Sequence, residues 1–100
     1  MTWRDKQWKP PVLKLNEGPN GFLFLTEGEE VEGTFGPQVL FRAQPLDNTG
    51  KPLGDSGKLY ISSGALLEAL KSYPRLTGLA LYIIRTGSGA DTTYELKEKL

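Results

Sequence analysis

Leu76-Thr77-Gly78-Leu79-Ala80-Leu81-Tyr82-Ile83-Ile84-Arg85-Thr86-Gly87-Ser88-Gly89-Ala90-Asp91-Thr92-Thr93-Tyr94-Glu95-Leu96 reads as two strands joined by a glycine-rich turn. Residues 78–86 are nearly all apolar and include Ile83-Ile84, the pattern of a strand buried on both faces or close to it. Gly87-Ser88-Gly89 tolerates the positive φ that a chain reversal needs. After it the pattern alternates, with Thr92, Tyr94 and Leu96 on one face and Thr93 and Glu95 on the other. Arg85 stands at the mouth of this hairpin, beside a loop whose backbone N–H groups can meet an anion.

Outward from the hairpin, the helix is the clearest element. Leu66, Leu67 and Leu70 form an apolar stripe at helical spacing, adjoined by Ala65 and Ala69. Ser62 or Ser63 can cap its start, and Pro74 stops it, so a helix is predicted over 63–73. Before it come three strands. Gly21-Phe22-Leu23-Phe24-Leu25-Thr26 is the first. Residues 39–44 form the second, with Val39, Phe41 and Ala43 on one face and Leu40, Arg42 and Gln44 on the other. Residues 58–62 form the third, with Leu59 and Ile61 toward the core and Lys58 and Tyr60 away from it. The buried set is expected to include Leu59, Ile61, Leu66, Leu70, Leu81 and Ile83.

The connections are polar. Residues 16–21 carry turn chemistry, and 12–15 are a short alternating segment. The acidic run 27–32 reads as a polar turn or strand extension that solubilises the surface. Asp47-Asn48-Thr49-Gly50 is a strong turn signal. Residues 1–11, with Trp3, Trp8 and Pro10-Pro11, have neither helical nor strand period. They are read as an extended arm preceding one domain over 12–100.

Composition narrows the chemistry. The chain has 100 residues, enough for a single core. It has no Cys and no His, which removes Ser-His and Cys-His catalysis, disulfides and the usual zinc ligand sets. No phosphate-loop or dinucleotide pattern is present, so the expectation is a protein that is not an enzyme and takes no metal or cofactor. There is no membrane-length apolar run and no apolar leader, and a cytoplasmic protein is expected.

The formal net charge is 0, but its distribution is uneven. Residues 1–14 carry Arg4, Lys6, Lys9 and Lys14 against Asp5. Residues 17–32 carry Glu17, Glu27, Glu29, Glu30 and Glu32 with no cation. A basic groove is therefore compatible with a zero sum.

The order strand, strand, strand, helix, strand, strand matches the OB-fold, a five-stranded, partly open barrel whose groove takes oligonucleotides or oligosaccharides. The expectation is an all-β, small five-stranded OB-fold-like barrel with one helix between strands three and four. An SH3-like barrel, the main rival, normally lacks a three-turn helix there, and a ubiquitin-like fold would place the helix after two strands. Three pieces carry a more specific resemblance. They are Gly33-Thr34-Phe35-Gly36-Pro37-Gln38-Val39-Leu40-Phe41, then Leu59-Tyr60-Ile61-Ser62-Ser63 leading into Leu66-Leu67-Glu68-Ala69-Leu70, then Ile83-Ile84-Arg85-Thr86-Gly87-Ser88-Gly89 ahead of Tyr94-Glu95-Leu96. Together they resemble the small OB-fold single-stranded DNA-binding proteins of bacteriophages and related viruses. Many of those carry an acidic tail, and Glu95-Leu96-Lys97-Glu98-Lys99-Leu100 is not one.

The resemblance implies a partner, single-stranded DNA, with RNA and self-association left open. Single strands are held by aromatic platforms under bases and cations at phosphates. Alternation places Arg42 on one strand and Lys58 and Tyr60 on the next, so one patch can hold all three if those strands pair. Lys51 and Arg85 are further candidate phosphate contacts. Phe35, flanked by glycines, either anchors its loop or stacks on a base. Trp8 lies between Lys6 and Lys9, and its arm covers the groove, covers an apolar edge or mediates self-association. The rival class is a non-enzymatic protein-interaction subunit on the same fold, favoured by the acidic run.

Overall fold

A computed structural model describes residues 11–33, 36–87 and 91–99. The elements are β1 (Val12–Leu13), β2 (Gly18–Phe24), β3 (Glu29–Gly33), β4 (Gly36–Leu46), β5 (Gly57–Ile61), α1 (Gly64–Lys71), β6 (Ala80–Thr86) and β7 (Thr93–Lys97). The strands form one mixed sheet in the order β1-β5-β4-β2-β6-β7, with β3 paired to β4 off that path.

The expected helix stands between β5 and β6, slightly shorter than the spacing predicts. Ser63 adopts extended backbone as N-cap, and its side chain accepts from the Leu66 N–H at 3.3 Å. The helix ends at Lys71 rather than at Pro74, because the Ser72 hydroxyl donates to the Ala69 carbonyl at 2.6 Å and satisfies a terminal acceptor. Leu66 and Leu70 are its buried residues.

The expectation of a five-stranded barrel needs correction. The sheet has seven strands, and among the described residues its end strands β1 and β7 do not pair, so it stays open. Part of the reason is local. β1 lies parallel on the free edge of β5, with Val12 opposite Lys58 and the Lys58 N–H donating to the Pro11 carbonyl at 2.8 Å. That edge is therefore already occupied.

The second added strand is β3, which takes most of the acidic run 27–32 into a hairpin with β4, Glu30 opposite Val39 and Val31 opposite Gln38. The first core strand also begins earlier than the turn chemistry predicts. Gly18-Pro19-Asn20-Gly21 is strand, because it pairs with β6 from Gly18 opposite Arg85 to Gly21 opposite Tyr82, and within it stands Asn20. Its side chain accepts from the Asn16 N–H at 2.9 Å and donates to the carbonyls of Asn16, Gly18 and Ile83 at 2.8 to 3.0 Å. All of this polar capacity is met inside the protein, so Asn20 can be buried there.

One apolar cluster fills the side of the sheet that α1 shares: Phe22, Phe24, Phe41, Ala43, Leu59, Ile61, Leu66, Leu70, Leu76, Leu81 and Ile83. The six positions expected to be buried from alternation and helical spacing all belong to it. Phe24 and Phe41 meet edge to face, centroids 5.3 Å apart, across the β2–β4 pair. Close packing reaches the β2–β3 connection at Gly28. A Cβ there would stand 2.8 Å from the Phe41 ring, so the chain needs glycine at that place.

Glu27 has a role that its place in an acidic run hides. Its carboxylate accepts from the Thr77 hydroxyl and N–H at 2.6 Å each and from the Leu76 N–H at 2.9 Å, tying the β2–β3 connection to the loop before β6. The Thr77 hydroxyl, then the Thr77 and Leu76 N–H groups, hold its pKa below the usual carboxylate value. A folded-state pKa below the unfolded one stabilises the protein above the unfolded pKa, and this is lost as pH falls through the folded one. Glu27→Gln is therefore expected to lower the denaturation midpoint at neutral pH. The gap from the parent protein should close as pH drops below the ordinary carboxylate range. A gap independent of pH would mean that the charge of Glu27 is not what holds the loop.

Candidate nucleic-acid interface

The strand pairing decides which candidate side chains meet. β4 and β5 are antiparallel neighbours, with Arg42 directly opposite Lys58 and Leu40 directly opposite Tyr60. Val39, Phe41 and Ala43 on β4 and Leu59 and Ile61 on β5 turn into the core. Alternation then sends Leu40 and Arg42, with Lys58 and Tyr60, to the outer face. Arg42 is exposed, and Lys58 and Tyr60 are half-buried.

The neighbouring strands extend this face. Val12 of β1 is opposite Lys58 and is 59% exposed. Just past the end of β2, the Leu25 N–H donates to the Arg42 carbonyl at 2.8 Å, and Leu25 is 42% exposed. A row Val12–Lys58–Arg42–Leu25 thus crosses the sheet, with two cations between two exposed aliphatic side chains. Two residues along β4, Tyr60 and Leu40 make the next row, continued by Glu29 of β3. Leu23 and Gln44, which pair between β2 and β4, flank the cations on the other side. The Gln44 amide donates to the Pro45 and Gly54 carbonyls at 3.0 Å each, which pins the β4–β5 connection beside the face.

The Arg42–Lys58 placement sets two cations side by side where one anion can reach both. The same alternation sends the acids elsewhere. Glu30 and Glu32 share parity with Val39 and Pro37, so they face the helix side of the β3–β4 hairpin. Of the β3 glutamates, only Glu29 shares the outer parity of Leu40. Arg42 and Lys58 thus lie on one face of the sheet, and Glu30 and Glu32 on the other.

The other candidates lie apart from this row. Arg85 shares the parity of Leu81 and Ile83 on β6, pairs with Tyr94 of β7, and donates from Nη1 to the Leu15 carbonyl at 2.9 Å. It is half-buried on the side of the core, and its Nε is buried without a hydrogen-bond partner among the described residues. Lys51 is exposed in the turn beyond the Leu46 end of β4. That turn is held by Asp47, whose carboxylate accepts from the Thr49 hydroxyl at 2.7 Å and the Thr49 and Lys51 N–H groups at 2.8 and 2.9 Å. These bonds, the Thr49 hydroxyl first, also hold the Asp47 pKa below its usual value. Trp8 and Phe35 lie outside the described residues, as does the 88–90 part of the glycine turn.

Compared with protein-family models, with curated proteins and with solved structures, the chain matches none. Among the described residues no helix is long and apolar enough to cross a membrane.

The aliphatic members of the outer face, Val12, Leu23, Leu25 and Leu40, are not singled out by reading the sequence for aromatic and basic residues. A signal was present in Phe22-Leu23-Phe24-Leu25, which is apolar at every position and so must show some apolar side chains on each face.

Proposed function

We propose that the outer face of β4 and β5 binds single-stranded DNA without sequence preference and without catalysis. Arg42 and Lys58 contact phosphate, and Tyr60 is the platform for a base. The observation that carries this reading is the register of β4 on β5, which sets two cations opposite each other and an aromatic ring in the next outward row. A flexible polyanion can contact both cations, and Leu40, Leu25 and Val12 offer apolar surface beside them. We read the fold as OB-like on the element order: β2, β4 and β5 precede α1, and β6 and β7 follow it. In OB-folds the face of the second and third strands takes the ligand, and β4 and β5 hold those places.

Tyr60 provides the test. Tyr60→Ala is expected to weaken poly(dT) binding by ~1–3 kcal/mol, with a similar loss for other base compositions, since stacking does not read hydrogen-bond edges. Tyr60→Phe keeps the ring and should retain most of the affinity. A folded Tyr60→Ala protein that binds poly(dT) as the parent does would remove the ring from the site.

A further inference from the structure

The acidic side of the β3–β4 hairpin forms a second surface, unconnected with the cation row. Between β3 and α1 lie two adjoining clefts, about 420 and 490 Å³, that share Glu30, Val39 and Leu67. Together they make one groove. Phe41 and Tyr73 add to its apolar floor, and Glu32 continues its acidic rim. Val39, Leu67 and Tyr73 are half-buried, whereas Glu30 and Glu32 are exposed. Lys71 is the cation at the rim, and its Nζ is paired with Glu68 at 3.3 Å.

β3 pairs only with β4 among the described strands, so its other edge is unpaired among them, and Glu30 and Glu32 of β3 line this groove. Exposed glutamates keep such an edge from pairing indiscriminately, and they also select for positive charge. The chain contains a segment of matching chemistry. Residues 1–10 carry Arg4, Lys6 and Lys9 against a single acid, Asp5, and hold both of its tryptophans, Trp3 and Trp8.

Geometry favours exchange between copies. β1 runs parallel to β5 and enters from the Gly57 end, where the Pro11 carbonyl meets the Lys58 N–H. The groove lies at the other end, around Ser62 and the residue opposite Ile61, Val39. To fill the groove of its own chain, the segment would have to double back along β5. A second copy needs no reversal.

We propose that the groove between β3 and α1 takes residues 1–10 of a second copy of this chain, with their cations against Glu30 and Glu32 and a tryptophan ring on the apolar floor. The contact is heterologous, since each copy offers one groove and one segment, so copies add head to tail or exchange reciprocally. It does not depend on nucleic acid, so it stands or falls separately from the reading of the outer face.

The test uses the full chain alone, by sedimentation velocity and tryptophan emission. Both tryptophans lie in the proposed segment, so emission reports on it directly. On dilution the protein should pass from associated to monomeric with a concurrent red shift. Raising salt toward 1 M, where the screening length is about 3 Å, should do the same. Glu30→Lys with Glu32→Lys is expected to raise the dissociation constant about tenfold or more. Lys6→Glu with Lys9→Glu should do so equally, and an equal mixture of the two variants should associate again, through the unaltered segment of one on the unaltered groove of the other as well as through acidic segment on basic groove. If the lysine pair impairs folding, Glu30→Gln with Glu32→Gln removes the charge without repulsion and should weaken association in the same direction. A monomeric parent protein at every concentration would overturn the proposal. So would a mixture that fails to restore association, or emission that stays blue on dilution because the segment packs on its own chain.

Discussion

Arg42→Glu combined with Lys58→Glu is expected to lower the affinity for poly(dT) by roughly a hundredfold at physiological salt, a tenfold loss per reversed charge being about 1.4 kcal/mol. The two side chains occupy opposing positions on β4 and β5, so both reversals fall on one patch. Each phosphate contact to a single strand contributes about −0.7 to the log–log salt slope, so the parent protein should show a slope near −1.4 from this pair, and the variant one near zero. Folding should survive, because neither side chain belongs to the apolar cluster. Arg85→Gln is the contrasting variant. Its guanidinium is engaged with the Leu15 carbonyl on the side of the core, so it should affect stability more than the salt slope. A double reversal that leaves both affinity and slope unchanged would move the nucleic-acid site off this face or remove it altogether.

Phe24→Ala is expected to cost ~3–5 kcal/mol of folding stability, from the lost burial and the cavity left behind. Phe24 is fully buried at 0% exposure, and its ring meets Phe41 edge to face where β2 pairs with β4. Domains of this size are usually near the lower end of ~5–15 kcal/mol, so the loss is a large fraction of the total. The check is chemical denaturation, with a lower midpoint at an unchanged slope. Leu25→Ala one position along should cost far less, since Leu25 is 42% exposed on the outer face. Similar losses at both positions would mean that the two faces of this segment are assigned wrongly.

Local chemistry determined much of this protein. The absence of Cys and His limits the reactions open to it. A serine before a leucine stripe makes α1, and strict alternation in 39–44 and 58–62 commits Phe41, Leu59 and Ile61 to the core. The opposite parity of Arg42, Lys58 and Tyr60 follows from the same period of two, so the candidate face was legible before any strand had a partner. Long-range pairing decided the rest. Two residues are too few to announce β1, which exists because β5 offers it a free edge. Four glutamates among 27–32 oppose strand formation on propensity alone, yet β4 is long enough to pair β3 with its first half and β2 with its second. Arg85 stands beside turn glycines in sequence, but the register of β6 on β2 turns it inward to a carbonyl 70 residues away. Glu27 looks like its acidic neighbours until the loop at Leu76 and Thr77 is brought against it. The physical reason is common to all four cases. A residue's face is set by its neighbours along the chain, whereas what meets that face is set by the register between segments far apart in sequence.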